Sequence, residues 1–497
     1  MPEASTLAAV IVLAAGAGTR MRSALPKVLH PLAGRPLLDH AVRAAAALAP
    51  ADLVVVVGHG REQVSAYLHA EHPGVRQAVQ AEQLGTGHAV ARALDGRPTP
   101  AGTVLVTYGD VPLLTTATLT ELLAEHHRSG HGVTILTAQL ADPTGYGRIV
   151  RDGRGAVTAI VEQRDADSGQ QRITEINSGI YAFDGSALAA ALPRLTGDNA
   201  AGERYLTDVV ALLVGAGRSV GTVAAEDPVQ TEGVNDRVQL STLARTLNDR
   251  LIRALQLSGV TVLDPATTWV HADVTVGPDT VLLPHTSLEA GTTVGSQCSI
   301  GPDTTLAGCR VADGATVLRS HCTGAVIGDR SRVGPFTFLR PGSVLADGAK
   351  VGAYVEVKSS TVGPGAKVPH LTYIGDASIG AGTNIGAGAI TANYDGAAKY
   401  PTVIGEQVFI GTNATLVAPL RIGDGAFVAA GSTVTADVAP GDLAIGRARQ
   451  SIIRGWIARR RPGTPADRAA RRADRSGADA AGGPDSPAAD RTDGDPG

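Results

Sequence analysis

Apolar runs alternate with amphipathic segments over about the first 236 residues of the chain. The runs "AAVIVLAAG", "DLVVVVGHG" and "GTVLVTYGDVPLL" are continuous, and helical patterns such as "LLDHAVRAAAAL" follow them. Continuous Val and Leu runs indicate strands that are covered on both faces, as in βαβ units. The pattern predicts a Rossmann-like, doubly wound α/β domain with a mostly parallel sheet over residues 1–237.

One amphipathic helix is predicted next, over residues 238–258. Leucines recur there at spacings of three and four, at Leu240, Leu243, Leu247, Leu251 and Leu255. No proline interrupts the pattern, and Gly259 is placed to act as its C-cap. Such a helix would connect two domains and space them apart.

A period of six residues dominates the region that follows, residues 259–457. Aliphatic residues hold this phase in four runs, which begin at Val276, Ile327, Val362 and Ile404. The first run is Val276, Leu282, Leu288, Val294, Ile300 and Leu306, after which the phase resets. Neither a strand nor a helix has this period, whereas a hexapeptide solenoid does, with one aliphatic residue filling the axis from each flat side. The pattern predicts a parallel β-helix.

Two segments depart from the repeat. The insertion "TANYDGAAKYPT" at 391–402 interrupts it once, and insertions in solenoids usually form excursions on a functional face. Residues 458–497 are dominated by Pro, Gly, Asp, Arg and Ala, so we expect a disordered tail.

Composition narrows the class of protein. The net charge of −4 gives no reason to expect a nucleic-acid partner. The three cysteines are too few and too scattered for a disulfide framework or a zinc site, which favours a reducing cytoplasm. The N-terminus lacks the basic start of a signal peptide, and no stretch approaches the ~18 apolar residues of a membrane span.

The stretch "VLAAGAGTRMRSALPK" follows the first predicted strand. It lacks the third glycine of the dinucleotide fingerprint, and Lys27 is too far from Gly18 for a Walker A loop. Backbone N–H groups there could still bind an anion at the mouth of the sheet, with Arg20 and Lys27 offsetting the charge of a triphosphate. The alternative is a tight turn without a ligand.

Further motifs give the loop a context. In order, they are "QAEQLGTGHA", "YGDVPLL", "DPTGYGRIV", "IVEQRDA", "EINSGIY" and "EGVNDR". Together with the hexapeptide region, they resemble the bifunctional N-acetylglucosamine-1-phosphate uridylyltransferases/glucosamine-1-phosphate N-acetyltransferases, over nearly all of residues 7–457. The resemblance implies synthesis of UDP-N-acetylglucosamine for bacterial cell-wall precursors, and a left-handed coil.

The resemblance implies a nucleotide-sugar site in the first domain. The nucleotide-contacting residues would be Leu13, Ala14, Ala15, Gly16, Arg20, Lys27, Gln80, Gly85, Thr86, Tyr108, Gly109 and Asp110. The sugar-binding set would be Gly147, Glu162 and Asn177. Asp110 and Asn235 would be the Mg²⁺ ligands, since this ion prefers hard oxygen donors.

The resemblance also implies an acetyltransferase site in the coil. His370 would be the catalytic base, because a neutral imidazole can take a proton from the attacking amine, and Glu356 would orient it. The sugar phosphate would contact Arg340, Lys358, Tyr373, Asn384, Asn393 and Tyr394. Acetyl-CoA would contact Ala387, Thr412, Ala430 and Arg447.

The implied partners are small molecules: glucosamine 1-phosphate, N-acetylglucosamine 1-phosphate, UTP and acetyl-CoA. Coils of this family associate as homotrimers, and no nucleic acid or membrane insertion is expected. Two alternatives remain open at this point. One is a single-function nucleotidyltransferase whose hexapeptide region serves only assembly, and the other is a non-catalytic scaffold.

Overall fold

A nine-stranded mixed sheet forms the centre of the N-terminal domain. The computed structural model describes residues 7–480 of the chain. The strands of this domain are β1 (Leu7–Ala14), β2 (Pro31–Leu32), β3 (Arg35–Pro36), β4 (Leu53–Val57), β5 (Arg76–Val79), β6 (Thr103–Tyr108), β7 (Val133–Gln139), β8 (Gly147–Arg151), β9 (Val157–Val161), β10 (Glu175–Asp184) and β11 (Val220–Ala224). The short strands β2 and β3 pair with each other outside the main sheet.

The strand order is β11-β7-β10-β6-β1-β4-β5, and β8 and β9 extend from β10. Strands β5, β4, β1 and β6 are parallel, as predicted. Strand β10 is antiparallel to both β6 and β7, so the sheet is mixed beyond this point. The carboxyl ends of the four parallel strands therefore share one edge of the sheet.

Helices cover both faces of this sheet. They are α1 (Leu37–Ala46), α2 (Arg61–Glu71), α3 (Thr86–Leu94), α4 (Thr116–Ser129), α5 (Gly185–Ala191) and α6 (Asp208–Gly215). Ile11 and Leu13 of β1 belong to one buried cluster, and Val10 and Val12 belong to another on the opposite face. This is the physical reason why the strand runs are continuously apolar.

Helix α7 (Arg237–Leu257) joins the sheet domain to the coil, as the sequence predicted. Leu243 packs into a cluster of the sheet domain, whereas Ile252 packs into the core of the coil. The buried Asn248 donates from Nδ2 to Thr268 O at 2.8 Å and accepts from Val270 N at 2.9 Å. The leucine stripe is only part of the buried face of α7, because Asn248 and Ile252 also contact the coil, at its first turn.

The coil consists of three parallel sheets. The first contains Thr261–Val262, Val281–Leu282, Ser299–Ile300, Thr316–Val317, Arg332–Val333, Lys350–Ala353, Lys367–His370, Asn384–Ile385, Phe409–Ile410, Phe427–Val428 and Leu443–Ala444. The second contains Trp269–Val270, Thr286–Glu289, Thr304–Ala307, His321–Thr323, Phe338–Leu339, Glu356–Lys358, Tyr373–Gly375, Ile390–Ala392, Thr415–Val417 and Thr433–Val434. The third contains Thr275–Val276, Thr293–Val294, Arg310–Val311, Val326–Ile327, Val344–Leu345, Thr361–Val362, Ala377–Ile379, Thr402–Ile404 and Leu420–Ile422.

The aliphatic residues of the repeat form one buried cluster along the axis of the coil. The predicted reset between Leu306 and Ile327 is not a break in the coil, because Val311, Val317 and Cys322 continue the buried column there. Some sides of the coil are one residue shorter, which a strict period of six misses. All three cysteines are buried free thiols.

Contacts divide the chain into two compact units, Met1–Ala444 and Ile445–Gly497. The second unit contains α8 (Trp456–Arg460) and α9 (Pro465–Ala480). The predicted disorder of residues 458–497 is therefore wrong for α9; residues 481–497 lie outside the described part of the chain. Thr464 Oγ1 accepts from Asp467 N, and Asp467 accepts from Gly463 N, so local capping supports α9.

The described helices include none that combines the length and the apolar character needed to cross a membrane.

We predict that Asn248→Ala destabilises the junction between α7 and the coil. The change leaves Thr268 O and Val270 N buried without partners, which costs about 2–4 kcal/mol of unfolding free energy. Urea denaturation followed by circular dichroism measures this loss. The control is Gln256→Ala at an exposed position of the same helix; equal stability of the two variants would contradict the role of Asn248.

Candidate active sites

A cavity of about 320 Å³ opens at the carboxyl edge of the parallel strands. Its lining contains ten residues of the predicted nucleotide set: Leu13, Ala14, Ala15, Gly16, Lys27, Gln80, Gly85, Thr86, Tyr108 and Asp110. Val28, Gln83, Ala89 and Glu203 complete the lining. The cavity lies where an open α/β sheet presents its ligands.

The glycine-rich loop lets Lys27 come close to the end of β1. Gly18 has a left-handed φ of +58°, and a Cβ placed on it would lie 2.6 Å from Lys27 Cβ. A side chain at position 18 would be strained and would displace Lys27. Lys27 is too far from Gly18 in sequence for a Walker A loop, but the turn between them brings the lysine back against the glycine.

Two glutamines connect the segment after β5 to the loop after β1. Gln80 is buried and donates from Nε2 to Gly85 O at 3.0 Å. Gln83 donates from Nε2 to Ala15 O at 2.9 Å. Gln83 was missed by the sequence analysis, although it stands in the same motif, "QAEQLGTGHA", as Gln80. Glu203 was also missed, and no motif marked it.

A second cavity of about 190 Å³ adjoins the first. Both are lined by Tyr108 and Asp110, and the second also contains Gly147, Glu162, Asn177 and Asn235. It further contains Val111, Gly145, Tyr146, Ser178, Gly179, Thr231 and Gly233, which were not predicted. The structure therefore brings the predicted nucleotide and sugar sets together at Asp110.

Polar partners fix the side chains of the second cavity. Asn177 donates from Nδ2 to Tyr181 Oη at 2.7 Å and accepts from Gly179 N at 3.0 Å. Glu162 accepts a hydrogen bond from Thr207 Oγ1 at 3.2 Å. Burial raises the pKa of the Glu162 carboxyl, and the Thr207 hydrogen bond opposes this shift.

Asp110 and Asn235 converge on one cation, the ammonium group of Lys27. Lys27 Nζ donates to Asp110 Oδ2 in an ion pair and lies 3.4 Å from Asn235 Oδ1. Two oxygen donors that share a cation fit Mg²⁺, which takes few protein ligands. Among the residues whose side chains the structure describes, 7–475, no group of three or more His, Cys, Asp or Glu could hold a metal ion.

Two residues of the predicted nucleotide set line neither cavity. Arg20 is exposed in the short 3₁₀ turn Thr19–Met21. Gly109 is buried, and its N–H donates to Leu13 O at 2.9 Å. Their contacts with a nucleotide stay predictions.

A polar cluster lies on the coil around the second predicted site. Arg340 Nη1 donates to Glu356 Oε1 at 2.9 Å. Lys358 Nζ lies 3.6 Å from Asp376 Oδ2, which also accepts from Asn393 Nδ2. Three residues of the predicted sugar-phosphate set, Arg340, Lys358 and Asn393, therefore have carboxylate partners. Arg340 pairs with Glu356, and Lys358 and Asn393 both contact Asp376.

Glu356 has a different partner from the one expected. Its carboxylate is engaged by Arg340, and among the described residues it forms no hydrogen bond with His370. The expected orienting role of Glu356 stays a prediction.

The insertion at 391–402 folds into a tight hairpin-like excursion. Asn393 O accepts from Tyr400 N at 2.8 Å, and Asp395 accepts from the N–H groups of Ala397 and Ala398. Asn393 is buried at its base, whereas Tyr394 is exposed. The excursion thus carries two predicted sugar-contacting residues, as the interruption of the repeat suggested. Tyr373 and Asn384 lie on strands in neighbouring turns of the same coil.

His370 belongs to a column of residues along one corner of the coil, where Ala353 of the preceding turn is in register with it. Gly388 N donates to His370 O, Asn413 N donates to Ala387 O, and Gly431 N donates to Thr412 O. His370, Ala387, Thr412 and Ala430 therefore stand in successive turns, over about 14 Å at a spacing of ~4.8 Å per turn. Arg447 belongs to the second compact unit, and its predicted contact with acetyl-CoA stays a prediction.

Sequence comparisons agree with this architecture. Residues 10–207 match the MobA-like NTP transferase domain, residues 265–370 match the GMPPB C-terminal domain, and residues 401–436 match the bacterial transferase hexapeptide (six repeats). The bifunctional protein GlmU of Kineococcus radiotolerans is 51% identical over 94% of this chain and 95% of that protein. GlmU of Mycolicibacterium gilvum is 53% identical over 93% and 94%, and that of Thermobifida fusca 53% identical over 95% and 98%.

The fold and the two sites define a nucleotidyltransferase joined to a hexapeptide-repeat transferase. The chain belongs to the GlmU family of bifunctional proteins. This confirms the family identified from the motifs and the fold class, including the left-handed β-helix. The chain is a bifunctional enzyme with uridylyltransferase and N-acetyltransferase activities, so the single-function and scaffold alternatives are not supported.

We predict that Gly18→Ala impairs uridylyl transfer and spares acetyl transfer. The new methyl group must displace Lys27, and a shift of this kind lowers kcat/KM for UTP by roughly 10- to 100-fold. Steady-state assays of both activities measure the effect. The control is Gly130→Ala, where φ is +61° but no atom lies within 4 Å of the new Cβ; equal losses in both variants would show that backbone strain alone is responsible.

Proposed function

We propose that the cavity pair around Asp110 transfers UMP from UTP to N-acetylglucosamine 1-phosphate. The observation that carries this assignment is the shared boundary, because Tyr108 and Asp110 line both cavities. A nucleotide in the larger cavity and a sugar phosphate in the smaller one would meet at Asp110. The sugar phosphate oxygen attacks the α-phosphorus of UTP, and pyrophosphate leaves as the bond to its bridging oxygen breaks.

The protein groups at this boundary bind and orient the phosphates. Lys27 offsets their negative charge, and Gln80 and Gln83 hold the loops that form the nucleotide cavity. Asp110 and Asn235 would hold Mg²⁺. When bound there, the ion supplies additional positive charge as the charge on the leaving pyrophosphate develops. No covalent intermediate with the protein is needed.

We further propose that the corner around His370 acetylates glucosamine 1-phosphate. His370 takes a proton from the sugar amine as the amine nitrogen bonds to the thioester carbonyl carbon. The carbon–sulfur bond then breaks, and the departing sulfur takes up the proton held by His370, so that CoA leaves as the thiol. Arg340 and Lys358 supply the positive charge for the sugar phosphate, next to the excursion that carries Asn393 and Tyr394.

The corner column suits the extended arm of acetyl-CoA. Ala387, Thr412 and Ala430 present small side chains in successive turns beyond His370, so a narrow ligand could lie along the coil. A bulky residue in this column would block such an arm. Thr412 is exposed, so its methyl group would lie against a ligand in this column.

We propose that the protein assembles as a homotrimer in the cytoplasm, with each acetyltransferase site completed by a neighbouring coil. The support is an exposed apolar ridge beside His370, formed by Phe336, Tyr354 and Leu371 at 50%, 61% and 63% exposure. The rings of Phe336 and Tyr354 stack with centroids 5.3 Å apart. Large apolar side chains clustered on a surface are typical of an interface.

The two steps have a fixed chemical order, although the chain order of the domains is the reverse. Acetylation produces N-acetylglucosamine 1-phosphate, which the first domain then consumes. The product, UDP-N-acetylglucosamine, is the activated sugar for cell-wall precursors.

We predict that single substitutions separate the two activities. His370→Ala should lower acetyl transfer by about 10²–10⁴-fold and leave uridylyl transfer unchanged, because it removes only the base. Asp110→Ala should lower uridylyl transfer by about 10²-fold or more and spare acetyl transfer. Thiol release from acetyl-CoA and pyrophosphate release from UTP measure the two steps.

Matched controls are His285→Ala, an exposed coil histidine, and Asp95→Ala, an exposed aspartate paired with Arg92. Neither should change either rate by more than about twofold. Loss of both activities from one substitution in a folded protein would refute independent sites. No thiol release by the wild-type protein with glucosamine 1-phosphate would refute the acetyltransferase assignment.

We predict that light scattering finds three times the mass of one chain. Replacing both Phe336 and Tyr354 by Glu should dissociate this assembly and lower acetyl transfer, because like charges would replace an apolar contact. Uridylyl transfer should remain. Thr361→Glu, on another face of the coil, is the control; a wild-type monomer with full acetyltransferase activity would contradict the shared site.

A further inference from the structure

The wall of the smaller cavity is held from behind by a buried arginine. Residues 145–147 form part of this wall. Arg148 on β8 is only 1% exposed and pairs across the sheet with Ile176 and Val161. Its guanidinium donates from Nη1 to Tyr146 O and from Nη2 to Gln163 Oε1, the latter at 2.7 Å. Arg148 therefore grips the wall segment and the end of β9 together.

Gln163 completes this clamp. Its Oε1 also accepts from Gly145 N at 3.2 Å, so one amide oxygen joins the guanidinium to the loop that precedes Gly147. Gln163 follows Glu162, which lines the cavity. The side chain of Gln163 does not line the cavity itself. It thus connects two parts of the wall, the loop before β8 and the residue after β9.

The buried guanidinium is paired with no described carboxylate, although hydrogen bonds from Thr144 and, less strongly, the charge of Arg148 lower the pKa of the exposed Asp142 carboxyl. Among residues 7–475, whose side chains the structure describes, Arg148 forms no salt bridge, and its Nε has no hydrogen-bond partner. A buried charge bound only by neutral acceptors costs more than a paired one. The two acceptors of the guanidinium are Tyr146 O and Gln163 Oε1. The hydrogen bonds that offset the free-energy cost of burying Arg148 are therefore the ones that hold the cavity wall.

Gly147 packs closely against Ile160 and Glu162. A Cβ placed on Gly147 would lie 3.0 Å from Ile160 Cγ2 and 3.5 Å from both carboxylate oxygens of Glu162. Gly147 and Glu162 are both in the predicted sugar-binding set. A shift of the loop by a fraction of an ångström therefore changes the distance between two groups that would contact the sugar.

We propose that Arg148 and Gln163 are positioning residues that set the affinity of the uridylyltransferase site for its sugar 1-phosphate. The inference rests on the proposed function of the two cavities. The clamp reaches the smaller cavity at Gly145, Tyr146 and Gly147. None of its groups lines the larger cavity. Loss of the clamp therefore acts on the sugar phosphate and leaves UTP binding intact.

The test compares three variants by steady-state kinetics. Gln163→Met removes the acceptor at nearly constant volume, Gln163→Glu keeps an acceptor oxygen, and Gln171→Met is a control at an exposed glutamine of the same domain. We expect Gln163→Met to raise the KM for N-acetylglucosamine 1-phosphate about tenfold. Its KM for UTP, its kcat and its acetyl transfer rate should stay within about twofold of wild type. Gln163→Glu should restore the KM to within about threefold of wild type.

Calorimetric titration with UTP gives a second readout, because Gln163→Met should bind UTP as wild type does. An unchanged KM for the sugar phosphate in Gln163→Met would overturn the proposal, as would an equal rise in the KM for UTP. Gln163→Glu as impaired as Gln163→Met would also overturn it. If Gln163→Met does not fold, Gln163→Asn withdraws the acceptor by one methylene and repeats the test. Absence of uridylyl transfer in the wild-type protein would instead refute the function of the cavities.

Discussion

Parallel pairing of short strands is the constraint on which both sites depend. Strands that run in the same direction bring equivalent ends to the same edge, whatever the length of chain between them. In the sheet, this brings the segments after β1, β5 and β6 together, and with them Gly16, Gln80 and Asp110. In the coil, the same pairing repeats one corner in every turn and lines up His370 with Ala387, Thr412 and Ala430.

The two domains use this constraint at different scales. The sheet brings side chains of different types from distant segments around two adjoining open cavities, which suits a reaction between two phosphates. The coil repeats one position at regular intervals, which suits a long, narrow ligand. Helix α7 ties the two together through separate contacts, Leu243 in one core and Ile252 in the other. The two candidate sites therefore lie in separate domains that one helix packs against.

Departures from regularity coincide with the candidate chemistry. The sheet changes from parallel to antiparallel at β10, and β10 with β8 and β9 carries Asn177, Gly147 and Glu162. The coil is interrupted by the excursion at 391–402, which carries Asn393 and Tyr394. At each point a regular scaffold holds the irregular segment, so that its polar groups are fixed at the candidate site. The clamp formed by Arg148 and Gln163 follows the same rule, since it lies behind the cavity wall.

The sequence by itself determined the two folds, the connecting helix and most of the candidate site. Local periodicity records the faces that each strand buries, and motifs record which residues stand at strand ends. It did not reveal that Val311, Val317 and Cys322 continue the coil, that Asn248 binds the first turn, or that α9 is helical. Tertiary structure alone decided that Lys27 pairs with Asp110, that Glu356 pairs with Arg340, and that Gln163 holds Arg148. These pairs join residues far apart in the chain or on different strands, and their geometry exists only after the strands have packed.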